Sequence, residues 1–298
     1  MGVHCPRLQP HLRDLHRGCR VLLGGKRFRA ETPLLIPYAV SGGLVWASLA
    51  SNLNNAGYFR TCGRTTSGDA YCWGSGDYGA NRNGVDSKLR NAPVLVAGNQ
   101  TWQSIATGDF HSCGVTGAGD FSCWGSNANG QLGTGGPTNA NIAVREIPGG
   151  RVWTDLAAGT SHSCGVAQGG AAVCWGANGS GQLGDGDALT SKGTPLAVAG
   201  GVVFASVRVG TDHRCGLTPG GVACCWGNNS QGQLGDGTTS STVYRTSPGA
   251  VFSRPTPGLL TPLSWSAIVT GDNHTCALTT AGVAFCWGNN DGHRHPVG

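Results

Sequence analysis

The spacing Cys-x9-Cys-Trp-Gly occurs five times in this chain of 298 residues, beginning at Cys62, Cys113, Cys164, Cys215 and Cys276. The steps between those cysteines are 51, 51, 51 and 61 residues. A fixed period of this size marks a solenoid, a propeller or an array, because one such unit cannot bury its own apolar face and must stack on copies of itself. Each unit is preceded by an opening phrase of one kind: Trp46-Ala47-Ser48-Leu49, Trp102-Gln103-Ser104-Ile105, Trp153-Thr154-Asp155-Leu156, Phe204-Ala205-Ser206-Val207 and Trp265-Ser266-Ala267-Ile268.

Within a unit, "HSCGVT" and "DFSCWG" are short runs rich in β-formers, joined by Gly117-Ala118-Gly119. That arrangement predicts a β-hairpin. The opening phrase supplies a third strand, and segments such as "APVLVAG" and "TPLAVAGG" supply a fourth. No stretch carries a helical period. The sequence therefore predicts an all-β chain of four-stranded antiparallel sheets covering one another. The Gly- and Asn-rich segment after each Cys-Trp-Gly reads as an ordered loop, with Leu132, Leu183 and Leu234 placed to plug the gap between sheets. The first repeat has lost Gln-Leu-Gly in "GANRNG", which predicts a looser edge there.

The phrases "CWGSNANGQLGTG", "CWGANGSGQLGDG" and "CWGNNSQGQLGDG" resemble the repeat of the regulator-of-chromosome-condensation family. The resemblance covers residues 33–292. It implies a β-propeller of four-stranded blades, in that family usually seven, of about 50 residues each. The paired cysteines resemble a branch found in bacterial secreted repeats and in plant crinkly-type receptor kinase ectodomains. Five repeats are visible here, and two arrangements follow: a closed five-blade ring, or an arc of a larger propeller. Thr32-Pro33-Leu34-Leu35-Ile36-Pro37 is similar to the strand that should follow the fifth Cys-Trp-Gly, so the two ends of the chain are candidates to complete one blade.

The domain reading is a basic segment, 1–31, followed by a propeller domain, 32–298. The formal charge of +5 belongs to the first part, whose 31 residues hold seven Lys/Arg and two Asp/Glu; the remainder holds thirteen of each. A repeat body without net basic character weighs against nucleic acid, which demands positive surface against phosphate. The first segment lacks the apolar core of a secretory signal. Its composition fits a transit peptide, a disordered tail or a wrongly assigned start. No apolar run is long enough for a transmembrane helix.

Ten of the thirteen cysteines form the five pairs: Cys62/Cys72, Cys113/Cys123, Cys164/Cys174, Cys215/Cys225 and Cys276/Cys286. In a hairpin centred between them the two lie directly opposite, within reach of a disulfide. Reduced buried pairs acting as small hydrophobes and zinc ligation are the competing readings; zinc is disfavoured by the lack of Cys-x2-Cys. Disulfides would place the chain in an oxidising, extracellular or secretory-lumen space, and four Asn-x-Ser/Thr sites agree. Cys224, next to the paired Cys225, should face the opposite side of its strand.

Catalytic chemistry finds no foothold. His111, His162, His213 and His274 each stand two residues before a paired cysteine, with Arg60 in that place in the first repeat. The reading adopted is one histidine per blade bonded to a neighbouring backbone group. The Trp after each second cysteine is read as a packing residue whose N–H meets a carbonyl. Asp185-Gly186-Asp187 is only a fragment of a calcium loop. No metal, cofactor or catalytic set is expected. The irregular feature is the ten-residue excess before the fifth repeat. There Tyr244, Arg245, Phe252, Arg254, Leu259 and Leu260 are the candidate partner-contact residues. The expected function is a non-enzymatic protein-protein scaffold. The alternatives are a guanine-nucleotide exchange factor for a small GTPase, the extracellular sensor domain of a receptor kinase, and an inhibitor of a secreted enzyme.

Overall fold

In the computed structural model, residues 39–52, 60–76, 79–81, 89–135, 138–147, 150–187, 190–251 and 263–290 are described. The expectations for residues 1–31, for Thr32–Pro37 and for Phe252, Arg254, Leu259 and Leu260 fall outside them.

Nineteen strands and no α-helix occur among the described residues. Blade one is β1 (Trp46–Ser51), β2 (Arg60–Thr65), β3 (Ala70–Ser75) and β4 (Leu89–Leu95). Blade two is β5 (Trp102–Thr107), β6 (His111–Thr116), β7 (Phe121–Asn127) and β8 (Thr138–Glu146). Blade three is β9 (Trp153–Ala158), β10 (His162–Ala167), β11 (Ala172–Gly176) and β12 (Lys192–Ala197). Blade four is β13 (Ser206–Val209), β14 (His213–Leu217), β15 (Ala223–Asn229) and β16 (Ser240–Ala250). Blade five has β17 (Trp265–Thr270), β18 (His274–Thr279) and β19 (Ala284–Gly288). Every sheet is an antiparallel meander in chain order, and together they form a five-blade β-propeller.

The cysteine spacing fixes the register of each hairpin. Cys62 faces Cys72 across β2 and β3, Cys113 faces Cys123 across β6 and β7, and Cys164 faces Cys174 across β10 and β11. Cys215 faces Cys225 across β14 and β15, and Cys276 faces Cys286 across β18 and β19. The Cα atoms of each pair lie 4.1 or 4.2 Å apart, and the sulfurs are bonded. By chain entropy, each loop of this length stabilises by about 3 kcal/mol at most. Pairing with the outer strand is less regular. Its register shifts between Cys72 and Gly74 in blade one and between Cys174 and Gly176 in blade three. The glycine takes up the bend, with a φ of +95° at Gly74 and +102° at Gly176.

The two faces of a blade differ in chemistry, and this difference drives the stacking. One face presents the cysteines, and the other presents the opening aromatic and the Trp of Cys-Trp-Gly. Cys113, Val115, Phe121, Cys123 and Leu132 of blade two bury Trp153, Leu156 and Trp175 of blade three. The same contact joins blades one and two, where Cys62 and Cys72 meet Trp102 and Trp124. It joins blades three and four, where Cys164 and Cys174 meet Phe204 and Trp226, and it joins blades four and five. Close approach requires glycine: a Cβ on Gly114 would sit 2.4 Å from the Trp102 ring. Cys224 lies on the Trp face of blade four, buried in the core shared with blade three, while Cys225 faces blade five.

The stacking stops at the two ends. Leu49 of β1 is 57% exposed, whereas its equivalents Leu156 and Val207 are 8% and 0% exposed. On the far side, Cys286 is exposed and Cys276 half-buried, whereas the other eight paired cysteines are fully buried. The close packing between successive inner strands is not matched between β17 and β1.

Candidate functional site

The repeats bring one ring of side chains to every interface. His111 points from blade two into blade three, where its Nε2 lies 2.8 Å from the Ser163 hydroxyl. Ser163 donates to the Gln131 carbonyl at 2.9 Å, and Trp175 Nε1 donates to the same oxygen at 2.9 Å. At the next interface but one, His213 meets Thr275 at 2.9 Å, and Thr275 and Trp287 both donate to the Gln233 carbonyl. For His111 and His213 the expectation of a backbone partner is thus corrected, because the ring partner is a hydroxyl on the following blade. Burial pushes His111 and His213 down to about 3, with Arg60 and Arg214 respectively adding repulsion. These are neutral packing groups. His274, on the open blade five, is exposed.

The first repeat keeps the device without Gln-Leu-Gly. The Ala80 carbonyl accepts from Trp124 Nε1 at 2.9 Å and from Ser112 at 3.2 Å. A backbone oxygen needs no particular side chain, so the predicted loosening does not reach this contact. Arg60 replaces a histidine and spends its guanidinium on the Gly108 and His111 carbonyls.

The paired cysteines lie beside this ring but form no reactive site. Cys62, Cys72, Cys113, Cys123, Cys164, Cys174, Cys215 and Cys225 are sealed in the seams between blades. Cys276 and Cys286 alone face the outer side of blade five. All ten are spent in disulfides and serve the scaffold, not a bound group.

At the axis, the ends of all five inner strands enclose a small polar recess of about 110 Å³. Asp109, Thr160, Thr211 and Asp272 occupy equivalent places around it, and Asn52 of blade one stands at the place of Gly108, Gly159, Gly210 and Gly271. Asn52 donates to Asp109 at 3.3 Å, and Thr211 donates to Asp272 at 3.4 Å. Burial raises the Asp109 carboxyl, opposed by its hydrogen bonds to Asn52 and Thr160. The recess holds neither a nucleophile beside a base nor a grouping of metal-ligating side chains among the described residues. Asp187 of the calcium-loop fragment is bonded to Lys192 at 2.9 Å.

The opposite end of the propeller has a different character. The residue before each opening aromatic sits beside a β-hairpin turn: Trp153 N donates to the Gly119 carbonyl, and Phe204 N to that of Gly170. Three of these residues are valines, Val45, Val152 and Val203, and the turns of blades four and five add Val222 and Val283. All five are exposed, from 46% to 67%. Sequence reasoning missed this rim, because each valine alone is an ordinary surface residue; only the repeat register places them at one end.

Of the six candidate loop residues, Tyr244 and Arg245 are described, and they lie on β16 rather than in a loop. Arg245 is across from Gly227 and 3.6 Å from the Asp236 carboxylate. Ala250 and Trp265, which flank the ten-residue excess, sit at the valine end, where Val251 N bonds the Ala223 carbonyl and Trp265 N that of Gly221.

Comparison with known proteins gives a consistent picture. A family model described as "Regulator of chromosome condensation (RCC1) repeat" matches residues 220–278. A second model of the same description matches 55–80, 102–131, 153–182 and 265–293. The ultraviolet-B receptor UVR8 of Arabidopsis thaliana is 32% identical over 230 residues, 74% of this chain and 49% of the receptor. The human E3 ubiquitin-protein ligase HERC2 is 30% identical over 229 residues, 74% of this chain and 4% of the ligase. The chain thus spans half or less of the length of these relatives. Human WBSCR16 has the same fold with a TM-score of 0.74 at 18% identity, covering 88% of this chain and 66% of that one. Prp20p of Saccharomyces cerevisiae, studied for its binding to Gsp1p and histones, follows with 0.63 at 22% identity, covering 77% and 56%. The ectodomain of the Physcomitrella patens receptor kinase CR4 gives 0.52 at 22% identity, covering 87% and 55%. No described helix is long and apolar enough to cross a membrane.

Proposed function

The chain belongs to the regulator of chromosome condensation (RCC1) repeat family, and from that premise we propose that it is a non-enzymatic scaffold holding another protein against one end of its propeller. The observation that carries this reading is the rim of exposed valines, Val45, Val152, Val203, Val222 and Val283, gathered at one end. Exposed apolar side chains gathered at one end of a fold are a feature of protein-interaction surfaces. The ten-residue excess before β17 leaves and rejoins the fold beside this rim, so residues 252–262 are proposed to share the contact, with Tyr244 and Arg245 nearby on β16.

The five cysteine pairs favour an oxidising compartment and a partner found there. A small GTPase is the second partner class, suggested by the binding of Prp20p to Gsp1p. The test is affinity capture from the native host with wild-type protein and with Val152→Asp/Val203→Asp/Val222→Asp. A partner held by the wild type and lost by the variant, with the melting temperature unchanged, supports the reading. A partner retained by the variant sinks the assignment of this end. A nucleotide-release assay on any captured GTPase separates exchange activity from simple binding.

A further inference from the structure

At the interface of blades three and four the repeated hydroxyl is missing. Arg214 stands where Ser112, Ser163 and Thr275 stand in the other blades. It is 0% exposed, on the Trp face of blade four, directly across from Trp226 on β15. Its Nε and both terminal nitrogens have no acceptor among the described residues. His162, which the repeat aims at this position, is also buried and has no partner for either ring nitrogen among the described residues. Elsewhere the hydroxyl accepts from or donates to the histidine and donates to a carbonyl. Here the replacement carries donors only, and among the described residues the Gln182 carbonyl receives a side-chain hydrogen bond from Trp226 Nε1 alone, at 3.2 Å.

A guanidinium keeps its proton at any ordinary pH, and a buried cation without a counter-charge is among the costliest arrangements a protein can hold. Asp212 is an acid whose charge favours the guanidinium, yet it is half-buried at the turn and makes no ion pair with Arg214 among the described residues. Arg60, the other buried arginine of the ring, shows what satisfaction looks like, since its terminal nitrogen reaches two carbonyls. We propose that Arg214 and His162 hold a small monovalent inorganic anion, of the size of chloride, between blades three and four. One acceptor between them serves both side chains, and the anion supplies the charge that a hydroxyl does not need. The position lies among the packed residues joining blades three and four, with Arg214 and His162 both buried.

The experiment uses thermal unfolding at constant ionic strength, exchanging sodium gluconate for sodium chloride. An anion bound only in the folded state raises the midpoint steadily with each tenfold step in chloride above its dissociation constant. Arg214→Ser restores the hydroxyl of the other blades, so its midpoint should be independent of chloride and should exceed that of the wild type in gluconate. Crystals of the unmodified protein soaked in bromide should show an anomalous peak within hydrogen-bond reach of Arg214. A wild-type midpoint that ignores chloride, an equal chloride slope in Arg214→Ser, or bromide crystals without that peak would each overturn the proposal. So would an Asp212→Asn variant that loses stability while chloride has no effect, since the guanidinium would then be paired with Asp212.

Discussion

Ser163 sits 2.8 Å from His111 Nε2 and so joins blade three to blade two through a bond between residues 52 positions apart. It also donates to Gln131, so one hydroxyl serves two groups of the preceding blade. Ser163→Ala leaves the imidazole unpaired in a dry interface, at an expected cost of about 1–3 kcal/mol. Ser163→Thr keeps the hydroxyl, as Thr275 does in blade five, and should cost less. Urea midpoints of the two variants distinguish this bridge from simple packing: equal losses would mean that the hydroxyl contributes nothing.

Much of this was legible in the sequence because it is local. The short spacing within each cysteine pair set a hairpin register, and the period set the five repeats but not their arrangement as a ring or an arc. Leu132, Leu183 and Leu234 are buried as read, at the seams between sheets. The His–hydroxyl bridge was not legible, since its members are about 50 residues apart and only the stacking of blades joins them. Arg214 escaped notice for the same reason: a lone arginine among strands says nothing until its neighbours are known to be donors. The excess before the fifth repeat was read as loop from Tyr244 onward, but edge pairing with β15 extends β16 to Ala250. Backbone pairing partners override a local run of serine, threonine and proline.

Acid should destabilise the fold in a defined window. His111 and His213 are pushed down to about 3 and His162 is lowered as well, all chiefly by burial. Unfolding releases each to an ordinary value near 6.5. The unfolded chain therefore binds more protons between these limits, and stability falls as pH drops below 6.5. Each histidine contributes a slope of about 1.4 kcal/mol per pH unit. Asp109 and Asp212, raised by burial, act in the opposite sense, and their contribution grows as pH falls toward 3.8. Urea unfolding at pH 7.5, 6, 5 and 4 should show the steepest loss between 6 and 5. A flat profile there would mean that the histidines are not buried as neutral groups.

Glycines of the Gln-Leu-Gly loops should differ sharply from glycines nearby. Gly184 has a φ of +70°, and a Cβ there would lie 2.5 Å from Trp226 Nε1, the atom that bonds the Gln182 carbonyl. Gly186 has a similar φ of +81°, but its nearest neighbour would be 3.7 Å away. Both alanine variants carry the left-handed penalty of about 1–2 kcal/mol. Gly184→Ala should lose about 1–3 kcal/mol more, by overpacking the seam. Equal losses in denaturant melts would show that the Trp ring moves aside freely.

The five disulfides should not respond alike to reductant. Cys62–Cys72, Cys113–Cys123, Cys164–Cys174 and Cys215–Cys225 are sealed between blades, with both cysteines fully buried. Cys276–Cys286 faces outward from the last blade, with Cys286 exposed. Reduction begins with attack of the phosphine on one sulfur, and the other leaves as thiolate. Water then releases the first as thiol with the phosphine oxide. Access to the sulfur therefore governs the rate, as it does in thiol exchange. Native protein treated with mild phosphine and then alkylated should therefore carry label on Cys276 and Cys286 first. Labels on the other eight should appear only as the protein unfolds, together with that on buried Cys224. Peptide mapping over a reduction time course reads this order directly. Simultaneous labelling of all ten would show that the blades open together. Protection of Cys276–Cys286 equal to the rest would show that the exposed face of blade five is covered in solution.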